Sequence, residues 1–192
     1  MANECSTKYM FFGDTEHIAD LQEKILKVQE TKETSLHTLA ELYAVNLSDI
    51  PCRGHISYMD MWNNDGTALM LETITAWNPQ TELFDAVIHK HYLDANENRL
   101  IDFVYIAEEP GFNIYINTDT EGEFFPDRFY IDSCVNNNYA SEYMEKEEDV
   151  ITWLKETFKA LPEFTTLKEF EDCKSAILGE DDYINIHEFE LG

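Results

Sequence analysis

The sequence predicts an α+β fold, a ferredoxin-like split βαβ antiparallel sheet with extra meander strands and a C-terminal helical extension. Three observations carry it. Apolar residues recur at helical spacing in two stretches of the first hundred positions, and β-branched and aromatic runs flank the turn dipeptides Asp65-Gly66 and Pro110-Gly111. Their order is strand, helix with a short extra helix, strand, strand, helix, strand, the order of a split βαβ unit. With 192 residues, 44% of them apolar, and 10 Tyr, 12 Phe and 3 Trp, the chain is long enough to bury a sizeable core.

Residues 4–12 read as the first strand, followed by Gly13 and by Asp14, whose short carboxylate suits a helix N-cap. Ile18, Leu21, Ile25 and Val28 then fall on one side of a helix. Leu36, Leu39 and Tyr43 predict a shorter second helix that ends before Asp49-Ile50-Pro51, because a residue preceding proline is pushed out of the helical region. Residues 55–63 and 67–76 flank Asp65-Gly66 and predict a hairpin. After it, Asn78 is placed to cap a helix and Pro79 to open it, ahead of Leu83, Phe84, Val87, Ile88 and His91.

Residues 99–107, 112–118 and 124–134 predict a meander turned at Pro110-Gly111 and Gly122. Pro126 cannot donate to a ladder, which puts the last of these strands at an edge or its start in a bulge. Asn136 to Asn138 mark a loop. Beyond it the pattern is helical: Val150, Leu154, Phe158 and Leu161 form a stripe, Glu147, Glu148 and Asp149 favour its N-terminus, and Pro162 ends it. Thr166 and Glu169 have capping-box spacing ahead of Leu167, Phe170, Cys173 and Ile177, and residues 182–189 alternate like a short strand. The predicted organisation is a ferredoxin-like domain over residues 1–135 with a helical extension, 136–192, packed on it.

The opening Met-Ala-Asn-Glu-Cys-Ser with Gly13 after the strand, the step Thr75-Ala76-Trp77-Asn78-Pro79, and Ala107-Glu108-Glu109-Pro110-Gly111 resemble the YubB-like ferredoxin-like domain family of bacterial plasmid, phage and conjugative-element proteins. The resemblance covers residues 1–135, and Glu4 stands where the family's pattern has Trp. It implies the fold and a mobile-element context. The family has no established activity, so the resemblance implies no catalytic residue.

The net charge is −26 and uneven: residues 1–96 hold 6 Lys and Arg against 15 Asp and Glu, and residues 97–192 hold 7 against 24. Contact with nucleic-acid phosphates or an anionic bilayer requires clustered cations, so direct nucleic-acid binding and membrane docking are not expected. No apolar stretch approaches the roughly 18 residues of a membrane span. Cys5, Cys52, Cys134 and Cys173 form no Cys-x-x-Cys pair, which predicts reduced thiols in a cytoplasmic protein. Cys52 with His55, and His89 with His91, are at most half of a zinc site. The seven glycines build no phosphate-binding loop, so no cofactor is expected.

With no local signature of a nucleophile or acid–base pair, the leading expectation is a non-catalytic protein-interaction module acting through a sheet edge or an aromatic patch. Tyr105 and Tyr115 read as exposed aromatics on one strand face, and Trp77 as an anchor after a strand. Glu108 and Glu109 point to opposite faces if they sit on a strand, and read best as a solvated turn at its end. These five are the candidate partner-binding residues; no catalytic or metal residue is assigned. The expected partner is a protein, one with a basic surface included. Two other classes stand beside this one: an acidic DNA mimic, since same-face carboxylates on strands or helices approximate a row of phosphates, and a metal-dependent hydrolase with carboxylate ligands from distant segments.

Overall fold

The computed structural model describes residues 3–48, 50, 52–176 and 178–192; the features predicted at Asp49, Pro51 and Ile177 lie outside them. The chain is α+β and divides into two compact units, Met1–Thr118 and Asp119–Gly192. The boundary follows Thr118, not residue 135.

In the first unit the elements are β1 (Glu4–Gly13), α1 (Thr15–Gln29), α2 (Leu36–Leu42), β2 (Gly54–Met61), β3 (Ala68–Ala76), α3 (Thr81–His91), β4 (Ile101–Glu109) and β5 (Ile114–Asn117). The strands lie in the order β2-β3-β1-β4-β5, each pair antiparallel. Alternation along β1 sends Tyr9 and Phe11 to one face, where the register sets them beside Leu71 and Leu69 of β3 and beside Tyr105 and Phe103 of β4. Ile18, Leu21, Ile25 and Val28 of α1, Leu36 and Leu39 of α2, and Leu83, Phe84, Val87 and Ile88 of α3 close over that face. Phe84 packs its ring 4.6 Å from Tyr9 and 5.1 Å from Phe11. Burial of each such side chain contributes about 1.5–3 kcal/mol. At the edge of this core Tyr92 donates to Asp20 Oδ2 at 2.7 Å, and its oxygen lies 2.5 Å from the Tyr43 hydroxyl.

Several local expectations shift. Trp62 N–H donates to Ala68 C=O, so the first hairpin is closed by the five residues from Asn63 to Thr67, with Gly66 at φ 76° and Asn63 Oδ1 accepting from the Thr67 and Ala68 N–H groups. A bulge between Ile56 and Tyr58 changes the register of β2. β4 runs to Glu109, and Pro110–Phe112 forms a single 3-10 turn. Asp14 stands at the N-cap of α1, but its side chain makes no cap bond.

The second unit is not only helical. Its strands β6 (Phe129–Val135), β7 (Asn138–Met144) and β8 (Tyr183–Glu188) form a sheet in the order β7-β6-β8, and α4 (Glu147–Thr157) and α5 (Leu167–Cys173) lie between β7 and β8 in sequence. The predicted loop at 136–138 is a two-residue turn with Asn136 at φ 52° and Asn137 at φ 61°, both left-handed as a tight hairpin requires, and it pairs β6 with a strand that sequence patterning missed. Ile131, Val150, Leu154, Phe164, Phe170 and Ile184 form the core of this unit. The strand expected at 124–134 starts only at Phe129, leaving Pro126 outside it.

Residues 119–128 are instead wound around two side chains. Asp119 Oδ2 accepts from the Phe124 and Phe125 N–H groups at 2.6 and 2.8 Å, and Arg128 donates to the carbonyls of Phe125 and Asp119. α4 stops at Thr157, because Phe158 leaves the helical region with its ring 5.8 Å from Trp153; Leu161 and Pro162 lie beyond the end. Thr166 caps α5 through the Glu169 N–H as predicted, and the Glu169 carboxylate accepts from the N–H and the hydroxyl of Thr165. No helix among the described residues is long and apolar enough to cross a membrane.

Candidate functional site

The step from β3 to α3 holds a tryptophan in the left-handed region. Trp77 stands at φ 75°, and the Asn78 N–H donates to the Ala76 carbonyl at 3.0 Å, which closes a three-residue γ-turn around it. Trp77 N–H donates to Asn3 C=O at 3.0 Å. The Asn78 carbonyl accepts from Thr75 Oγ1 at 2.7 Å and from Gln80 Nε2 at 3.3 Å. The predicted cap is therefore displaced. Gln80, not Asn78, is the N-cap residue of α3, its side chain makes no cap bond, and Pro79 lies in the link before the helix. Gln80 N–H donates instead to the buried Tyr9 hydroxyl at 2.9 Å, and burial pushes that hydroxyl's pKa well above the usual tyrosine range.

A second turn meets this one. The Glu109 carboxylate, 1% exposed, accepts from Gly111 N–H at 3.1 Å and from Phe112 N–H at 2.5 Å, and so fixes the 3-10 turn after β4. The expected solvated pair at Glu108 and Glu109 is overturned at Glu109, which spends its acceptors on its own backbone. The turn carries Phe112 to Trp77, ring centroids 5.4 Å apart, with Phe112 58% and Trp77 39% exposed.

Beside Trp77 lies a cavity of about 540 Å³, a size within the range of ligand sites. Arg53, Trp77, Pro79, Gln80, Tyr105 and Ile116 line it together with the first turn of α3. Arg53 arrives through the β2–β3 register, its carbonyl accepting from Ala76 N–H at 3.0 Å. Its guanidinium is exposed and, among the described residues, makes no ion pair. Among those residues the N–H groups of Thr81, Glu82 and Leu83 meet no acceptor, as expected of a first helical turn that no side chain caps. Gln80 is 4% exposed and its Oε1 has no donor.

Of the five residues singled out by sequence, Trp77 and Tyr105 come together here. Tyr105 is half-buried, on the helix-facing side next to Tyr9. Tyr115 does not share its face: the register pairs Tyr115 with Glu108, three positions from Tyr105 and so on the opposite side of the sheet, where Tyr115 is 5% exposed. Sequence reasoning missed Arg53, Gln80 and Phe112. Only the exact β2–β3 register would have brought Arg53 to Trp77, and the bulge and five-residue loop hide it.

His89 and His91 lie on α3, where residues two apart diverge, and His91 Nε2 sits 2.8 Å from the Tyr43 carbonyl oxygen. The four cysteines are free thiols, and burial pushes those of Cys5 and Cys52 up. Among the described residues no three His, Cys, Asp or Glu side chains come together to hold a metal ion. Comparison of the chain with protein-family models, with curated proteins and with solved structures finds no match.

Proposed function

We propose that the protein is a non-catalytic protein-interaction module whose partner docks on Trp77, Phe112 and the adjoining cavity. The conformation of Trp77 carries this reading. A bulky residue at positive φ costs about 1–3 kcal/mol and persists where its surroundings enforce it, a pattern that clusters at ligand clamps. Here the indole so held is exposed and packed at a tilt against a second exposed ring, and tryptophan is among the residues that most often dominate binding energy. The order β2-β3-β1-β4, antiparallel throughout, supports a ferredoxin-like first unit. We keep with it the resemblance to the YubB-like family of bacterial mobile-element proteins. Four free thiols suit a cytoplasmic setting, and a net charge of −26 speeds encounter with a partner that is basic around its docking segment.

The reading is tested by selecting a random-peptide display library on the wild-type protein. Truncating a hot spot costs 2 kcal/mol or more, so Trp77→Ala should weaken the recovered peptides by about 30-fold. Peptides that bind Trp77→Ala and wild type alike would sink it.

A further inference from the structure

We infer that the outer edge of β7 receives an extended basic segment of a partner protein, which adds to the sheet as an antiparallel strand with its arginine side chains over Tyr139 and Tyr143. The edge belongs to the second unit, and the inference stands independently of the Trp77 surface.

β7 ends the order β7-β6-β8, so among the described residues only β6 pairs with it. The two-residue turn at Asn136 and Asn137 makes Val135 and Asn138 a hydrogen-bonded pair, and such pairs alternate along an antiparallel ladder. Ala140 and Glu142 therefore bond to β6, and the Ala140 carbonyl also accepts from Ser133 Oγ at 3.1 Å. Tyr139 and Ser141 turn their N–H and C=O groups the other way, to the open edge.

Native edges are usually blunted by a bulge, a lysine, a proline or a covering element. β2 carries the bulge between Ile56 and Tyr58, and on β8 the Ile184 carbonyl accepts from Lys174 Nζ at 3.1 Å. β7 keeps an unbroken register over its seven residues and contains neither lysine nor proline. Such an edge suits strand addition, in which main-chain bonds supply affinity and alternate side chains supply specificity.

The side chains choose the partner. Tyr139 and Tyr143 stand on the face turned away from Ile131, Ile184 and the helices packed on them. Tyr139 is 78% exposed, and Tyr143 sets its ring 4.8 Å from that of Tyr130. Faces of such rings attract cations, arginine most often. The setting calls for one as well: residues 119–192 hold 6 Lys and Arg against 20 Asp and Glu, and none of the six lies on β6, β7 or β8. Asp132 sits opposite Ser141 on the tyrosine face, and Glu142 is exposed on the other. A second copy of this chain brings the same excess of negative charge, which opposes it as the occupant.

The probes are dye-labelled, end-blocked peptides in which arginine alternates with threonine: one unmodified, one N-methylated on its arginines, one N-methylated on its threonines, and one with citrulline in place of arginine. In an antiparallel hydrogen-bonded pair the two opposed residues exchange both bonds, so the residues beside Tyr139 and Ser141, which share the tyrosine face, point their N–H groups at β7. Fluorescence anisotropy on the full chain should show N-methylation of the arginines weakening binding about tenfold and N-methylation of the threonines changing it by less than about twofold, although the charge is the same. The citrulline peptide should bind about fivefold more weakly or worse. Ser141→Pro removes an outward N–H and spares the bonds to β6, and should weaken the unmodified peptide about fivefold. Tyr139→Ala, at a side chain outside the core, should weaken it about threefold.

No binding of the unmodified peptide, equal loss on both N-methylated peptides, loss on the threonine-methylated one alone, or undiminished binding of the citrulline peptide overturns the inference. Loss of the arginine peptide on Trp77→Ala overturns it too, because it moves the binding to the first unit. A dimer of the protein alone that Ser141→Pro dissociates makes a second copy the occupant and has the same effect. A library peptide weakened by Ser141→Pro and not by Trp77→Ala belongs to this edge, and one with the reverse pattern belongs to the Trp77 surface, so each reading fails on its own.

Discussion

Asn78 gives its N–H to the carbonyl of Ala76, two residues back, and that bond holds Trp77 at φ 75°. Replacing a core tryptophan costs about 3–5 kcal/mol, but glycine takes positive φ without the clash that a Cβ brings. Trp77→Gly should therefore leave stability within about 1 kcal/mol of wild type, the relieved strain offsetting the lost ring contact. The same substitution should weaken binding of the library peptides by about 30-fold or more, as Trp77→Ala does. Urea unfolding checks the first outcome and anisotropy the second.

Glu109 acts on the same site without lining the cavity. Glu109→Ala leaves the N–H groups of Gly111 and Phe112 without their acceptor in a buried spot, at a cost of about 1–3 kcal/mol. Phe112 is then no longer fixed against Trp77. Affinity for the library peptides should fall several-fold with the slope of the urea transition unchanged, and Glu109→Gln, whose single amide oxygen can accept from only one of the two N–H groups, should restore only part of it.

Gly54 lies next to Arg53 where strands approach closely. A Cβ there would sit 2.5 Å from the Ile74 carbonyl oxygen and 2.9 Å from the Thr75 α-carbon, both backbone atoms that cannot swing aside. Gly54→Ala should cost about 1–3 kcal/mol, the usual scale of overpacking, and lower the thermal midpoint.

Three buried tyrosines make the fold sensitive to alkali. Burial pushes the hydroxyl pKa values of Tyr9, Tyr43 and Tyr92 above the ordinary value of 10.0, and at Tyr92 the bonds to Tyr43 and Asp20 add to it. A group whose folded pKa is raised stabilises fully below its unfolded pKa and loses that contribution as pH rises above it. Stability should thus be flat up to about pH 10 and then fall by about 4 kcal/mol per pH unit if all three ionise only on unfolding. Tyrosinate absorbance followed against circular dichroism checks it: these rings should titrate together with the loss of structure, and Tyr92→Phe should make the fall shallower.

Asp119 has the opposite sign. Burial pushes its carboxyl up, but the N–H groups of Phe125, Phe124, Glu123 and Gly122 overcome that and hold it below the ordinary 3.8. Its stabilisation is present above about pH 4 and is lost as pH falls through the lowered value. Asp119→Asn should destabilise the protein at neutral pH by about 1–3 kcal/mol, and the gap to wild type should close below pH 4 in urea titrations.

Much of the first unit was legible in the sequence, since Ile18, Leu21, Ile25 and Val28 on α1 and Leu83, Phe84, Val87 and Ile88 on α3 keep helical spacing and all reach the core. The second unit was read less well. Asn138–Met144 alternates only weakly in hydrophobicity and lies exposed along most of its length, so patterning has little to detect, and the turn that creates it rests on two asparagines that elsewhere mark a loop. Residues 119–128 carry no periodic signal, because their order comes from the hydrogen bonds of Asp119 and Arg128.

The sequence by itself determined which segments are helices and strands in the first unit and that they form an α+β fold, because side-chain periodicity is a local property. Only the tertiary structure decided that Arg53, Trp77, Gln80 and Tyr105 share one cavity, that Phe112 reaches Trp77, and that Tyr115 lies on the far face. Those relationships depend on strand register, and a bulge at Ile56 and Tyr58 or a turn one residue longer changes which face and which neighbour each side chain finds.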